Sequence, residues 1–247
     1  MKFFSILKKG QNREHHHDFP EINGEHYQHA ISKIENYVNP EWYIEIGSRS
    51  GESLARRKCN FIAIDPVFEI KDNVFNESKK FLFFQQKSDD FFAEGFLKKN
   101  KIEPNLAFID GMHLFEYALR DFINLQSVMA EDGVICIHDV CPFNYEMTTR
   151  DVDYLAQGRP WTGDVWKVVL ALKKFQPNLS VTVLNCHRTG LAVVKNLSKS
   201  DKNLTKKYDE IIDAFIDMEL QDLGAKEYYD GINMITGDKF EIEKILL

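Results

Sequence analysis

Short apolar runs alternate with longer amphipathic segments from about residue 40 onward. Runs this short that are apolar toward both faces are typical of buried parallel strands. The segments between them are compatible with helices, and strands that alternate with helices predict a doubly wound α/β sheet with helices on both faces. Five such runs, each followed by polar residues, lie at 42–46, 61–64, 81–84, 106–109 and 133–137.

The pattern changes after residue 175. Two further apolar runs, 179–184 and 191–194, are joined by six residues that include Gly190. A link of this length is too short for a helical crossover, so the two runs are predicted to be antiparallel neighbours. The predicted fold is therefore a Rossmann-like, mostly parallel sheet of seven strands that ends in an antiparallel hairpin.

Several segments have the spacing of amphipathic helices that pack against a sheet. In the clearest of them, 114–129, the apolar residues lie close to one face, and the charged residues Glu116, Arg120 and Asp121 are expected to point away. Further helices are predicted at 29–38, 164–175 and Tyr208–Leu220. The last of these is expected either to pack on its own sheet or to form a dimer contact, which leaves a homo-oligomer open.

The alternation of strands and helices occupies the middle of the chain. We therefore expect an N-terminal leader with a helix (1–40), a core (41–196) and a C-terminal helical appendage (197–247). The 247 residues, of which 44% are hydrophobic and 28% charged, suffice for one sizeable core.

Composition narrows the choice of partners. A net charge of −7 disfavours nucleic acid, because phosphate binding needs a basic surface. The apolar runs are too short to cross a bilayer or to form a signal sequence. We therefore expect a cytoplasmic protein with a small-molecule substrate and no membrane partner.

Cysteine and histidine patterns suggest no metal cluster. The four cysteines include no CxxC pair, so reduced thiols in or near the core are predicted. The run 15–17 is all histidine and is followed by His26 and His29. Consecutive side chains point in different directions, so a surface leader is predicted there.

Polar residues follow all five predicted parallel strands. Ligands of open parallel sheets bind at the edge where these strand ends meet. In the first loop, Gly47 and Gly51 allow backbone N–H groups to approach a ligand, although a tight strand-to-helix turn also explains them. The residues at the five strand ends are Glu45 with Gly47, Asp65, Ser88 with Asp89, Asp110, and Asp139.

The first two strand ends favour a nucleoside without phosphates. Asp65 can accept two hydrogen bonds from a ribose diol, with a helix cap as the alternative. A dinucleotide fingerprint needs GxGxxG, but this loop reads Gly47-Ser48-Arg49-Ser50-Gly51, with serine where a second glycine would admit the pyrophosphate.

Seven short motifs, taken in their order and spacing, carry a family resemblance. They are Glu45-Ile46-Gly47-Ser48, Gly51-Glu52-Ser53, Asp65, Asp110-Gly111-Met112-His113, Gly133-Val134-Ile135, His138-Asp139 and Gly190-Leu191-Ala192-Val193-Val194. Over about 41–196 the chain resembles the class I S-adenosylmethionine-dependent methyltransferases. Within that class it is most similar to the subgroup that includes macrolide-sugar O-methyltransferases.

The resemblance implies where S-adenosylmethionine binds. The first loop would hold the methionine moiety, Asp65 the ribose, and Ser88 with Asp89 the adenine. A helix N-cap remains the alternative for Ser88 and Asp89. The cofactor-binding residues implied in this way are Glu45, Gly47, Ser48, Gly51, Ser53, Asp65, Ser88, Asp89 and Asp110.

A second group of residues suggests the chemistry. Asp110 and Asp139 end adjacent central strands, so both carboxylates can reach one divalent cation such as Mg²⁺. His113 follows three residues after Asp110, and an imidazole pKa near ~6.5 suits a general base. In sugar-methylating relatives such a metal orients the acceptor hydroxyl while this histidine removes its proton. Val140 stands where catechol-type enzymes have asparagine, and no third ligand is identifiable.

The predicted activity is therefore O-methylation of a small-molecule hydroxyl, with a sugar as one candidate. A nicotinamide-dependent oxidoreductase and a catalytically silent nucleoside-binding protein are the alternatives. His138 is expected to be structural and Trp166 to lie in the core. Asp164 is expected either to help the metal or acceptor site or to cap the following helix.

Overall fold

A single mixed sheet forms the centre of the protein in the computed structural model, which describes residues 18–71, 73–75, 79–232, 234–236 and 244–246. The strands are β1 (Trp42–Ile46), β2 (Asn60–Ile64), β3 (Phe81–Phe84), β4 (Leu106–Ile109), β5 (Val134–His138), β6 (Ser180–Asn185), β7 (Leu191–Lys195) and β8 (Ile235–Thr236). Their order across the sheet is β3-β2-β1-β4-β5-β7-β6-β8.

The first five strands are parallel, as predicted. β7 pairs antiparallel with both β5 and β6, which is the predicted terminal hairpin. The eighth strand pairs parallel with β6 through Leu184 and Ile235. A strand of two residues has no detectable period, so the sequence did not predict it.

Helices cover both faces of the sheet. They are α1 (Tyr27–Val38), α2 (Ser88–Glu94), α3 (Phe96–Asn100), α4 (Phe115–Gln126), α5 (Trp166–Phe175), α6 (Asn203–Lys206), α7 (Tyr208–Phe215), α8 (Leu220–Leu223) and α9 (Ala225–Ile232). One face packs against α1 and the other against a layer that includes α4 and α5.

Side chains alternate between these two layers along each central strand. In β1, Ile44 and Ile46 belong to the core under α4 and α5, whereas Tyr43 belongs to the core under α1. This is the period of two that an extended strand imposes. All residues of β1, β4 and β5 are buried, which fixes the positions of the strand ends.

The connections on either side of β2 differ from the prediction. The expected helix after β1 is a 3-10 turn at Leu54–Arg56, and the described residues between β2 and β3 contain no helix. Glycines and serines in the first connection disfavour a longer helix. The chain after β2 instead runs along the first loop, where the Glu69 N–H donates to the Arg49 carbonyl (2.8 Å).

Two helix predictions need correction. Asp121 was expected to point away from the core, but it is only 3% exposed on α4. The predicted helix Tyr208–Leu220 is broken after α7, and α8 begins only at Leu220. Ile211 and Phe215 are buried in the chain's own core, so the apolar face of α7 packs intramolecularly.

The four cysteines are free thiols and buried, as predicted. The histidine run 15–17 lies outside the described residues. His26 and His29 begin α1, where the His26 imidazole accepts from the Gln28 N–H and caps the helix. Among the described helices, none has both the length and the apolar character needed to cross a bilayer.

Gly47 holds the ends of β1 and β4 together. Its φ is +91°, and a Cβ there would lie 1.9 Å from the carbonyl oxygen of Asp110. The Gly47 N–H donates to Ile64 and the Asp110 N–H donates to Ile46, each at 2.9 Å. Only glycine fits this close approach of two strand ends.

We predict that Gly47→Ala destabilises the fold far more than Gly95→Ala. Both glycines have positive φ (+91° and +66°), but a Cβ at Gly95 meets nothing within 4 Å. The φ strain alone costs an alanine about 1–2 kcal/mol. Displacement of the Asp110 carbonyl should raise the loss at Gly47 above ~4 kcal/mol. Denaturant unfolding of both variants measures this difference, and equal losses would contradict it.

Candidate active site

The candidate site lies where β1, β2, β4 and β5 end. Backbone pairing continues past the strands: the Asp65 N–H donates to Phe84 (3.2 Å) and the Asp110 N–H to Ile46 (2.9 Å). The acidic residues that follow the strands are therefore held by the sheet itself.

Asp110, His113 and Asp139 meet at this edge. His113 Nε2 lies 3.3 Å from Asp110 Oδ1, and His113 Nδ1 lies 3.1 Å from Asp139 Oδ2. One ligand atom from each of the three residues lies within 4.8 Å of the others. Together with His138 and Asp121 they line a small pocket that is partly open to solvent. The structure thus brings the predicted base and both predicted metal ligands together.

His138 and Thr189 complete this group. His138 Nδ1–H donates to Asp110 Oδ1 (3.2 Å), and its Nε2 lies 3.2 Å from Thr189 Oγ1. The Thr189 hydroxyl donates to Asp139 Oδ1 (2.5 Å), so it accepts a hydrogen bond from His138 Nε2. With both nitrogens donating, His138 is an imidazolium that links the two carboxylates.

The electrostatics of the site follow from this packing. Burial raises the pKa of Asp110, but His138 and His113 lower it more and leave it well below its usual range. Burial lowers the pKa of His113, but Asp139 and Asp110 raise it to about 9. The pKa of His138 is also raised, because the same two carboxylates outweigh its burial.

The backbone is strained at two of these residues. His113 has φ +58° and Asp139 has φ +61°, in the left-handed region that non-glycine residues seldom occupy. Each such residue costs of order 1–3 kcal/mol and persists only where surrounding contacts hold it. The strain therefore marks His113 and Asp139 as residues whose positions the fold enforces.

Under the first loop, the Glu45 carboxylate is buried. It accepts hydrogen bonds from the hydroxyls of Tyr43 and Ser53. Ser48 is buried as well, and its hydroxyl donates to the Glu45 carbonyl at 3.4 Å. Burial raises the pKa of Glu45 to about 7, although the two hydroxyls lower it. Glu45, Ser48 and Ser53, which were predicted to bind the cofactor, thus form hydrogen bonds within the protein that support the loop.

Asp65 is tied to the same loop. Its Oδ2 accepts from the Arg49 N–H (2.9 Å) and its Oδ1 from the Val67 N–H (2.8 Å). Gly51 has φ +78°, and a Cβ there would lie 2.9 Å from Val74. The chain after β2 therefore packs directly on this glycine.

Ser88 and Asp89 stand at the start of α2 but face different partners. Ser88 hydrogen-bonds Asp121, and burial raises the pKa of Asp121 to about 7 despite this bond. Asp89 forms a two-pronged ion pair with Arg120, with nitrogen–oxygen distances of 3.0 and 3.2 Å. The hydrogen-bond partners given above for Asp65 include neither Ser88 nor Asp89.

Two predictions about the segment before α5 are resolved. Trp166 is 1% exposed and belongs to the core, as expected. Asp164 was expected to help the metal or acceptor site or to cap the following helix, but its Oδ1 accepts from the Phe115 N–H (2.7 Å). It caps α4 instead.

Sequence reasoning missed three parts of the site. His138 was set aside as structural, although its place beside Asp139 at a strand end was a usable signal. Thr189 arrives from the β6–β7 hairpin, and no local pattern marked it. Tyr27 of α1 packs on His138 with ring centroids 3.9 Å apart. Such a contact depends on tertiary placement alone.

Residues 44–140 match the family model described as a methyltransferase domain. The matched segment covers less than half of the 247 residues, and over it the chain is similar to a methyltransferase domain. All residues predicted for the cofactor, the metal and the base lie inside the matched segment. The match confirms the resemblance recognised from the sequence motifs. No curated protein matches this chain.

Solved structures similar to this chain include PaMTH1 of Podospora anserina bound to S-adenosylhomocysteine (SAH), with 14% identity over 68% of this chain and 77% of that one (TM-score 0.44). MycE of the mycinamycin pathway, with Mg, SAH and mycinamycin VI, has 13% identity over 70% and 50% (TM-score 0.45). TomG of Streptomyces achromogenes, with S-adenosylmethionine, has 12% identity over 78% and 93% (TM-score 0.45). Resemblances at this level assign no residue role here.

We predict that Glu45 makes the stability of the protein depend on pH. Its pKa is 4.5 in a model peptide and about 7 in the fold. Folding therefore favours the protonated acid, and this contribution is complete below pH 4.5 and is lost as pH rises to about 7. Glu45→Gln cannot titrate. The free energy of unfolding of the wild type should therefore fall by roughly 3 kcal/mol relative to that of Glu45→Gln as pH rises across that window.

Denaturant unfolding at pH values across this window tests the prediction. Glu131→Gln is the matched control, because Glu131 is exposed and the substitution makes the same change in net charge. Parallel stability curves for the wild type and Glu45→Gln would show that Glu45 ionises in the fold as it does in the unfolded chain.

Proposed function

We propose that this protein transfers the methyl group of S-adenosylmethionine to a hydroxyl group of a small molecule, with a sugar hydroxyl as the preferred class. The observation that supports this most is the His113 imidazole, which is held between the carboxylates of Asp110 and Asp139 at the strand ends. A base beside two oxygen ligands is what deprotonation of an alcohol requires.

The proposed cofactor site runs along the first loop to Asp65. The two hydrogen bonds that Asp65 accepts from backbone N–H groups leave carboxylate lone pairs for a ribose diol. The buried Glu45, Ser48 and Ser53 would hold the loop in shape, and Gly47 would bring it next to Asp110. We propose that the adenine lies near Ser88 and Asp89. The acceptor would be contacted by residues outside 41–196 and, within that core, by residues of 140–165.

Asp110 and Asp139 are the proposed ligands for a divalent cation. Carboxylate oxygens are the donors that Mg²⁺ prefers, and the close spacing of the ligand atoms fits one ion. A bound cation would supply Lewis acidity toward the acceptor oxygen. A nitrogen of His113 lies within the same 4.8 Å spacing of the two carboxylates.

His113 is the proposed general base, and its surroundings favour one tautomer. Both neighbours of Nδ1, the Asp139 carboxylate and the Trp161 carbonyl at 3.2 Å, can only accept hydrogen bonds. Nε2 also faces an acceptor, the Asp110 carboxylate at 3.3 Å, and the pKa of about 9 keeps both ring nitrogens protonated at neutral pH. His113 would therefore act as a base only after Nε2 loses its proton, which leaves the neutral ring with hydrogen on Nδ1 and a lone pair on Nε2. Nε2 would then take the proton of the acceptor hydroxyl, and bound S-adenosylmethionine would supply the methyl group, with its sulfur keeping the C–S electron pair.

Binding of the cofactor is the first test. Calorimetry should show that the wild type binds SAH and does not bind NAD. Asp65→Asn should weaken SAH binding about 10- to 100-fold, since it removes a charged acceptor for the ribose. Asp90→Asn, at an exposed position of α2, should leave the affinity unchanged. Binding of NAD instead of SAH would favour an oxidoreductase and overturn the proposal.

Turnover is the second test, with acceptors from a screen of hydroxylated small molecules that includes glycosides. His113→Ala should keep the SAH affinity but lower kcat by about 10²- to 10⁴-fold, because the acceptor proton loses its base. Removal of divalent cations with a chelator should lower kcat in the wild type, and added Mg²⁺ should restore it. Full turnover by His113→Ala would refute the base assignment, and SAH binding without turnover would indicate a silent binding protein.

A further inference from the structure

The segment before α5 packs against His113. Gly163 has φ +53°, and a Cβ there would lie 1.8 Å from the His113 carbonyl oxygen. The Trp161 carbonyl accepts from His113 Nδ1–H (3.2 Å), and the two rings stack with centroids 5.2 Å apart. Both the backbone and the side chain of His113 are therefore in contact with this segment.

Asp164 fixes the segment to the helix that follows His113. It is 1% exposed, and its Oδ1 accepts from the Phe115 N–H (2.7 Å) at the start of α4. Its Oδ2 accepts from Lys167 Nζ (2.8 Å) and Arg150 Nη1 (2.6 Å). A buried carboxylate with three donors is held in one position, since each bond restricts it in a different direction.

A second ion pair continues the connection at the surface. Arg150 donates to both oxygens of Glu116 on α4, at 3.0 and 2.7 Å. Arg150 therefore joins Asp164 to the first turn of α4. Its ion pair with Glu116 is two-pronged, which restricts the geometry of both side chains. We call Arg150, Gly163 and Asp164 the brace.

The brace holds His113 in a position that the carboxylates alone do not fix. His113 lies in the short connection between β4 and α4 and has a strained backbone, with φ +58°. A catalytic group must be held within about 0.5 Å of its working position. The carboxylates fix only the ring of His113, whereas the brace also fixes its carbonyl and the helix that follows.

We infer that Gly163, Asp164 and Arg150 are positioning residues that hold His113 with Nε2 directed toward Asp110. The inference rests on the proposed role of His113 as general base. None of the three touches the reacting atoms in this arrangement, so their effect on the reaction passes through His113.

Two glycines of the same segment provide the test. Gly158 also has positive φ (+73°), but a Cβ there meets nothing within 4 Å. Gly163→Ala should move His113 and lower kcat about 10²-fold, as expected for a misplacement of about 1 Å. Gly95→Ala, at a glycine with φ +66° and an equally open Cβ position outside the proposed acceptor contacts, should leave kcat unchanged. The SAH affinity measured by calorimetry should stay within about twofold of the wild type in all three variants, Gly163→Ala, Gly158→Ala and Gly95→Ala.

The imidazole NMR signals of His113 give a direct readout of its position. They can be assigned by their loss in His113→Ala. They should shift in Gly163→Ala but not in Gly158→Ala. This readout requires neither an acceptor nor SAH, so it distinguishes the inference from the proposed function. Unchanged His113 signals in a folded Gly163→Ala would overturn the inference, whereas shifted signals without SAH binding would overturn only the proposed function.

Arg150→Gln decides the matter should Gly163→Ala fail to fold. Arg159→Gln is its control, because Arg159 is an exposed arginine of the same segment outside the brace. Arg150→Gln should shift the His113 signals and lower kcat at unchanged SAH affinity, and Arg150→Lys should recover part of both. Identical His113 signals in Arg150→Gln and Arg159→Gln would contradict the brace.

Discussion

The close approach of Gly47 to the Asp110 carbonyl is the contact on which the site depends. With a Cβ only 1.9 Å from that oxygen, no other residue permits β1 and β4 to end side by side. The loop proposed for the cofactor follows β1, and the acid proposed for the metal follows β4. A glycine that serves packing thus also sets the distance between the proposed cofactor loop and the proposed metal ligand Asp110.

Charge at the strand ends is balanced within the protein. The carboxylates of Asp110 and Asp139 face the imidazoles of His113 and His138, and Thr189 links two members of the group. Buried carboxylates without such partners would repel each other and cost several kcal/mol. The two histidines hold the pKa of Asp110 well below its usual range, so this carboxylate is in the ionised state that ligation of a cation requires.

The sequence predicted more of the sheet than of the site. Apolar runs and the polar residues after them predicted seven strands and the positions of Asp65, Asp110 and Asp139, because strand direction alone brings their ends together. The sequence did not predict Thr189 as part of the site, since the β6–β7 hairpin comes next to β5 only through the pairing of β7 with β5 in the folded sheet. The burial of Asp121 also escaped, because one charged residue on an apolar helix face reads as exposed until its partner Ser88 is known.

The site is built from two stretches of chain with different constraints. The cofactor loop, both acids and His113 lie within the methyltransferase match at 44–140, whereas the brace lies at 150–164. Substitutions in the second stretch can alter how His113 meets an acceptor without disturbing Gly47 or Asp65. In the proposed function, acceptor contacts would therefore be separable from the cofactor loop, since the two lie in different connections of the fold.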